Sequence, residues 1–270
     1  MTREQKVSTL IQYLKQENQG YASIPDPIDE GEQRRLLRSL MNVRYPGHAS
    51  AEYEKLQDEL LQEEAEEKGI VTCNDIPVIE QEYPCSEIKN SDRISLWRGD
   101  ITRLGVDAIV NAANSQLLGC FVPCHGCIDN AIHTFAGVEL RLACAELMEQ
   151  QGYPEPIGRA KITPAFNLPC KYVLHTVGPI IDGRVTKADK ELLASCYRSC
   201  LELAAENGLE SVAFCCISTG EFHFPNEQAA QIAVETVKEF LKTQTSVKKV
   251  IFNVFKDLDK AIYEKLLGAA

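Results

Sequence analysis

A chain of 270 residues with 44% apolar side chains can bury a sizeable core, as one large domain or as a standard domain with an appendage. Its net charge of −11 argues against a nucleic-acid partner, which needs a basic face, but not against a small anion held by backbone amides. No apolar run approaches the roughly 20 residues of a membrane span, and the N-terminus has no signal-peptide pattern, so a cytoplasmic protein without membrane partners is expected. Eleven cysteines, odd in number and without a secreted-type spacing, fit the same reducing compartment. Cys215-Cys216, inside an apolar run, reads as buried free thiol.

In chain order, residues 3–18 place Val7, Leu10, Ile11 and Leu14 on one helical face before Gly20, Pro25 and Pro27 interrupt. The spacing predicts a second helix over 32–44, with Leu36, Leu37, Leu40 and Met41 inward. A third runs from an N-cap at Ser50 to Lys68, with Tyr53, Leu56, Leu60 and Leu61 inward and Gly69 as its stop. The acidic run at 63–67 reads as a solvated face. Residues 1–69 therefore form a small all-α N-terminal extension, in which nothing suggests chemistry. Residues 70–90, with Pro77 and Pro84 among polar side chains, read as a linker packed on the next domain.

After residue 91 strand-like runs at 94–98, 108–111, 160–164, 172–177, 211–217 and 249–253 alternate with helical ones at 128–151, 189–207, 225–243 and 257–267. The inner strands are nearly continuous apolar runs, as in a sheet buried on both faces. Such alternation implies a layered α/β domain over 91–270, with a mixed, mostly parallel sheet and right-handed crossovers.

Chemistry concentrates at 118–130, where Cys120, Cys124, His125 and Cys127 fall within eight positions. Thiolate and imidazole suit Zn²⁺, and Cys120, His125 and Cys127 would fill three of four tetrahedral positions, leaving one open as in a catalytic site. Asp129 follows within two residues. It reads as the N-cap of the next helix, and a carboxylate beside a metal can also orient water. Ligands of open α/β sheets bind beyond the carboxyl ends of the strands. The residues there are Gly99-Asp100-Ile101, Asn111-Ala112-Ala113-Asn114, His175-Thr176-Val177-Gly178-Pro179, Ser218-Thr219-Gly220-Glu221-Phe222-His223-Phe224-Pro225 and Asn253-Val254-Phe255. The turn 218–225, with Gly220 and Pro225, suits a phosphate cradle of amide N–H groups. Asp100 is either a cap for the next turn or an acceptor for an exocyclic amine. Asn114 is explained by turn geometry nearly as well as by catalysis. His133 and His175 read as packed histidines, and Trp97 as strand core.

Trp97-Arg98-Gly99-Asp100-Ile101-Thr102, Val106-Asp107-Ala108-Ile109-Val110-Asn111-Ala112-Ala113-Asn114-Ser115, Leu117-Leu118-Gly119, the His175–Pro179 run and Ile217-Ser218-Thr219-Gly220 together resemble the macrodomain family of ADP-ribose-binding modules, over about residues 91–267. The resemblance implies a three-layer α/β/α fold. In MacroD-type hydrolases the loop after Asn-Ala-Ala-Asn is glycine-rich and ends in an Asp shortly before an Ile-His pair; here Asp129 precedes Ile132-His133. The glycine run is replaced by 120–127, which is similar to the zinc-containing macrodomains of microbes, whose helical N-terminal extension this chain also shares. Their metal ligands fall on Cys120, His125 and Cys127, with Cys124 left as an extra thiol.

What the resemblance implies for the site is specific. Adenine lies against Asp100 and Ile101, with Phe255 stacking. The diphosphate rests on the backbone of Ser218, Thr219, Gly220, Glu221 and Phe222 and near Val122. The distal ribose sits by Asn114, Asp129 and the zinc, while Ala112 and Asn253 complete the binding set. Glu221 is expected to point to solvent. The expected function is zinc-dependent removal of mono-ADP-ribose from modified proteins, with Asp/Glu linkage favoured and Asn114 and Asp129 catalytic. The alternatives are a non-catalytic ADP-ribose reader and an O-acyl-ADP-ribose deacylase. A lipoylated carrier protein, modified by a sirtuin-like ADP-ribosyltransferase, is the partner that the resemblance suggests.

Overall fold

The computed structural model describes residues 1–84 and 86–268; Cys85, inside the expected linker, and residues 269–270 lie outside the described residues. Helices α1 (Arg3–Glu17), α2 (Glu30–Val43) and α3 (Ala51–Lys68) start on Thr2, Asp29 and Ser50, each accepting the N–H three residues on. Such caps stabilise by about 1 kcal/mol each. Asp29 starts α2 two residues ahead of the expected start. Leu10, Ile11, Leu37, Leu40, Leu60 and Leu61 from the three helices form their own apolar cluster. The acidic run on α3 is not wholly solvated. Glu64 is only 5% exposed and accepts both Nε and Nη2 of Arg34 at 2.6 and 2.8 Å. It shares the inward stripe of Leu60 and Leu61, where a carboxylate persists only if paired.

The expected linker packs on the sheet domain. Its strand β1 (Val71–Thr72) pairs in parallel with β3 (Leu104–Gly105), and the short helix α4 (Ile79–Glu82) buries Ile79 in the main core. That core is built on β2 (Ile94–Arg98), β4 (Ala108–Ala113), β5 (Ala160–Pro164), β6 (Tyr172–Val177), β7 (Ser211–Phe214) and β8 (Lys249–Val254). The sheet order is β2-β8-β7-β4-β6-β5, parallel throughout except for antiparallel β5 at one edge. The carboxyl ends of five adjacent strands therefore share one rim. Helices α5 (Ile128–Ala136), α6 (Val138–Gln151), α7 (Lys187–Glu206), α8 (Asn226–Phe240) and α9 (Asp257–Leu266) cover the sheet. Among the described residues no helix is long and apolar enough to cross a membrane.

Two differences from the sequence expectation matter. The helix expected over 128–151 breaks at Gly137, whose φ is +98°. A Cβ there would lie 2.6 Å from Gln57 Nε2, and Gln57 Oε1 accepts Val138 N–H, so a side chain of α3 caps α6. Strand β7 stops at Phe214 rather than 217, because Thr219 N and Oγ1 both bond Cys216 O and fold the chain into a turn.

Candidate active site

The exit of β4 supplies the first part of the site. Asn111 is fully buried, and its amide donates to Asp129 Oδ1 at 2.8 Å and reaches His175 Nδ1 at 3.2 Å. Asn114 donates to Gly119 O at 3.1 Å and approaches Asp129 Oδ2 at 3.4 Å. Asp129 is 5% exposed, and burial pushes its carboxyl up to about 6 against the lowering effect of Asn111 and Arg141. Asp129 is not the N-cap of the following helix, as the sequence suggested. Cys127 takes that place, its Sγ accepting Asn130 N–H at 3.4 Å, and Asp129 sits in the first turn. The cap moves because the loop enters the helix at Cys127, which leaves both Asp129 oxygens to the two asparagines. The sequence places Asn111 among the polar residues at the exit of β4 without giving it a role; its side chain is the buried partner of Asp129.

The second part is the loop between Asn114 and α5. The Sγ atoms of Cys120 and Cys127 and a ring nitrogen of His125 all lie within 4.8 Å of one another. His125 Nδ1 is buried without a partner. Burial, with Cys120 and Asp129 alongside, pushes the Cys127 thiol up to about 12, so with no cation beside it the thiol keeps its proton. Soft S/N donors, an orphaned imidazole nitrogen and no competing disulfide fit Zn²⁺. Cys124 lies apart, in a left-handed conformation (φ +53°), with its thiol against Ser39 Oγ and Arg35 O. A second Cys/His group, His133, Cys144 and His175, is wholly buried. Both nitrogens of His175 already face Asn111 and Thr163, at 3.2 and 3.0 Å, which makes that group packing rather than a ligand set.

The third part is the turn after β7. Ser218 takes φ +65°, is buried, and closes the turn by accepting Phe224 N–H at 2.9 Å. Gly178 at the exit of β6 is obligatory beside it, since a Cβ there would fall 2.0 Å from Ser218 Oγ. Among the described residues no acceptor lies on the N–H groups of Gly220, Glu221 and Phe222, which leaves a run of amides open to an anion. Phe224 is core and Phe222 is half-buried. Glu221 is mostly exposed, as expected, but its Oε1 also comes within 3.7 Å of His125 Nε2, linking the cradle to the metal loop.

At the far end, Asp100 Oδ1 accepts Thr102 N and Oγ1 at 3.0 and 2.7 Å, the capping arrangement. Asn253 donates to Gly99 O at 2.9 Å and ties β8 to that turn. Ile101 is buried, whereas Val122 and Phe255 are 56% and 73% exposed on the rim, free to cover a ligand. The half-buried Ala112 and Thr219 complete the arc. All of these positions lie on loops or strand ends at the one rim.

The Macro domain model matches residues 110–233. A protein from Treponema medium named protein-ADP-ribose hydrolase is 56% identical over 99% of this chain and 100% of its own length. A protein of the same name from Staphylococcus aureus is 49% identical over 85% of this chain and 83% of its own. Among solved structures, the Trypanosoma brucei macrodomain in complex with ADP-ribose superposes with a TM-score of 0.65 at 31% identity, covering 86% of this chain and 95% of that one. With its sheet order, its rim of loops and this similarity along nearly its whole length, the chain belongs to the macro domain family.

Proposed function

We propose that the chain is a hydrolase that frees mono-ADP-ribose from acidic side chains of modified proteins, with Zn²⁺ held by Cys120, His125 and Cys127. The activity on ADP-ribosylated protein follows the names of its relatives; the metal and the linkage are our reading. The observation that carries it is a buried carboxylate, Asp129, held by Asn111 and Asn114 two residues beyond a soft donor set and on the same rim as an open amide cradle.

In this reading the Ser218–Phe222 amides and Val122 take the diphosphate, and Asp100, Ile101, Asn253 and Phe255 take the adenosine end. Ala112 and Asn114 border the distal ribose. Zn²⁺, when bound, supplies Lewis-acid polarisation at the open position. Asp129, with both oxygens oriented by the asparagines, holds the attacking water and accepts its proton as the ribose–carboxylate bond opens. The leaving group from a modified Asp or Glu is itself a carboxylate, stable as an anion because its pKa is near 4, so no general acid is required. A lipoylated carrier protein modified by a sirtuin-like transferase is a candidate substrate on resemblance alone.

The test is to offer Asp/Glu-modified and Ser-modified protein to the enzyme with and without a chelator, counting bound metal by mass spectrometry. We expect stoichiometric zinc, cleavage of the Asp/Glu ester only, and loss of cleavage but not of ADP-ribose binding on chelation. Asp129→Asn and Asn114→Ala are expected to lower kcat about 100-fold or more while changing ADP-ribose affinity little. Metal-free protein with full activity would overturn the zinc assignment. Tight binding without cleavage of any substrate would make the chain a reader.

A further inference from the structure

We infer that helix α2 of the N-terminal region is part of the active site, and that Arg38 and Asn42 are positioning residues for the loop that carries Cys120, His125 and Cys127. This rests on the reading of that loop given above. The loop has no regular secondary structure, and the only backbone bond closed between two of its own residues is His125 N to Val122 O at 3.2 Å. Its shape therefore has to be imposed from outside.

Two side chains of α2 impose it. Asn42 is 1% exposed; its Oδ1 accepts Cys124 N–H at 2.9 Å and its amide donates to Thr134 Oγ1 at 3.0 Å. Arg38 donates to His125 O at 3.1 Å and to Asn130 Oδ1 at 2.7 Å. Asn130, fully buried, carries the grip on to Val122 O at 3.0 Å and Cys120 O at 3.4 Å. The backbones of two of the three donor residues, Cys120 and His125, and of Cys124 between them, are thus fixed by one short relay. Arg38 and Asn42 stand four residues apart, one turn of the same face. Leu37, Leu40 and Met41 turn the other way, into the helical cluster. One helix therefore presents an apolar face to its own bundle and a polar face to the catalytic loop. Cys124, a non-glycine residue at φ +53°, is held in that costly conformation by the Asn42 bond.

The alternative is that these bonds only glue the helices to the sheet domain. The Gln62–Asn167 bond, 3.1 Å, belongs to the same interface and touches no part of the loop, so it serves as the control. The full chain is compared as wild type, Asn42→Ala, Asn42→Asp, Arg38→Lys and Gln62→Ala. The readouts are hydrogen exchange of amides 120–127, release of zinc to a chelator, kcat, ADP-ribose affinity and melting temperature. We expect Asn42→Ala to speed loop exchange and zinc release about tenfold and to lower kcat by a similar factor, the loss of one buried hydrogen bond. ADP-ribose affinity should stay within about threefold, because the amides after β7 do not move and Val122 O is held by Asn130 rather than by Asn42. Asn42→Asp keeps an acceptor for Cys124 N–H and should recover part of the loss, Arg38→Lys should fall between, and Gln62→Ala should match wild type. Unchanged exchange and kcat in Asn42→Ala, or equal losses in Gln62→Ala, would overturn the inference. If wild type holds no zinc, the zinc reading falls, while slower turnover with faster loop exchange in Asn42→Ala would still support positioning.

Discussion

His175 offers a quantitative test of the buried network. It is fully buried on β6, with Nδ1 3.2 Å from Asn111 Nδ2 and Nε2 3.0 Å from Thr163 Oγ1. The Asn111 amide nitrogen can only donate, so Nδ1 accepts and the ring is neutral with its proton on Nε2. Burial lowers the His175 pKa from 6.5 to about 3, and His133 moves the same way, through burial first and then His175 and Arg141. A depressed histidine favours the folded state above pH 6.5, and that benefit is lost as pH falls, since the unfolded chain takes up the proton first. Between pH 6.5 and 5 the loss from His175 is about 2 kcal/mol at about 1.4 kcal/mol per pH unit, and His133 acts in the same direction. Asp129 opposes it. Its raised pKa means that the folded state binds a proton first, which regains about 1.4 kcal/mol between pH 6 and 5. The His175 contribution alone corresponds to a fall in Tm of roughly 4 °C for a chain of this length.

The variant that isolates the ring is His175→Gln, whose amide replaces one acceptor and one donor but does not titrate. Melting curves by circular dichroism at matched ionic strength, from pH 7.5 to 5, should show the variant less stable at neutral pH. Its Tm should also fall about 4 °C less than wild type across that range. Equal pH slopes for the two proteins would refute the neutral, buried assignment, whatever their absolute stabilities.

Three further outcomes are expected. Gly119→Ala should disable the enzyme, because the residue sits at φ +78° and a Cβ would lie 2.8 Å from the His133 ring; about 2 kcal/mol lost in denaturant titration is expected, and a variant as stable as wild type would count against it. Glu64→Ala should destabilise the helical region by about 3 kcal/mol, since it strands the largely buried Arg34, whereas Arg3 keeps Glu67. Burial alone would raise the Glu64 pKa, yet the two arginines hold it low, so Glu64→Gln should cost less at pH 4 than at pH 7. Glu221→Gln should tighten ADP-ribose binding about threefold at low salt by removing a carboxylate from the mouth of an anion cradle. Calorimetry that shows no salt-dependent gain would place Glu221 away from the diphosphate.

The parts of this molecule that were legible in its sequence are those whose partners lie nearby in the chain. The strands at Ile94–Arg98, Ala160–Pro164 and Tyr172–Val177 lie where strand-like runs stand in the sequence, and helix α3 ends where Ser50 and Gly69 place its limits. The polar residues just past the strands were visible as candidates because a parallel sheet collects its exits on one rim. Cys120, His125 and Cys127 stand close enough in sequence to be read as one soft-donor group, and the fold gathers their donor atoms.

Long-range polar pairing leaves no such trace. Asn42 and Thr134 meet across 92 residues, as do Arg38 and Asn130. A polar stripe on an amphipathic helix has the same periodicity whether it faces water or grips another element. Glu64, inside the acidic run of α3, is buried against Arg34 for that reason, and the polar face of α2 likewise carries no mark of the contacts it makes with the loop. Asn111 stands among the strand-exit candidates, yet its hold on Asp129 shows only once both its partners, Asp129 and His175, are in place. A short stretch of chain can thus announce which atoms do the chemistry, while the residues that aim those atoms belong to whichever element the fold brings alongside. For this protein that element is the helical region, and the bonds reaching from Arg38 and Asn42 into the loop tie the extension and the rim into a single structural unit.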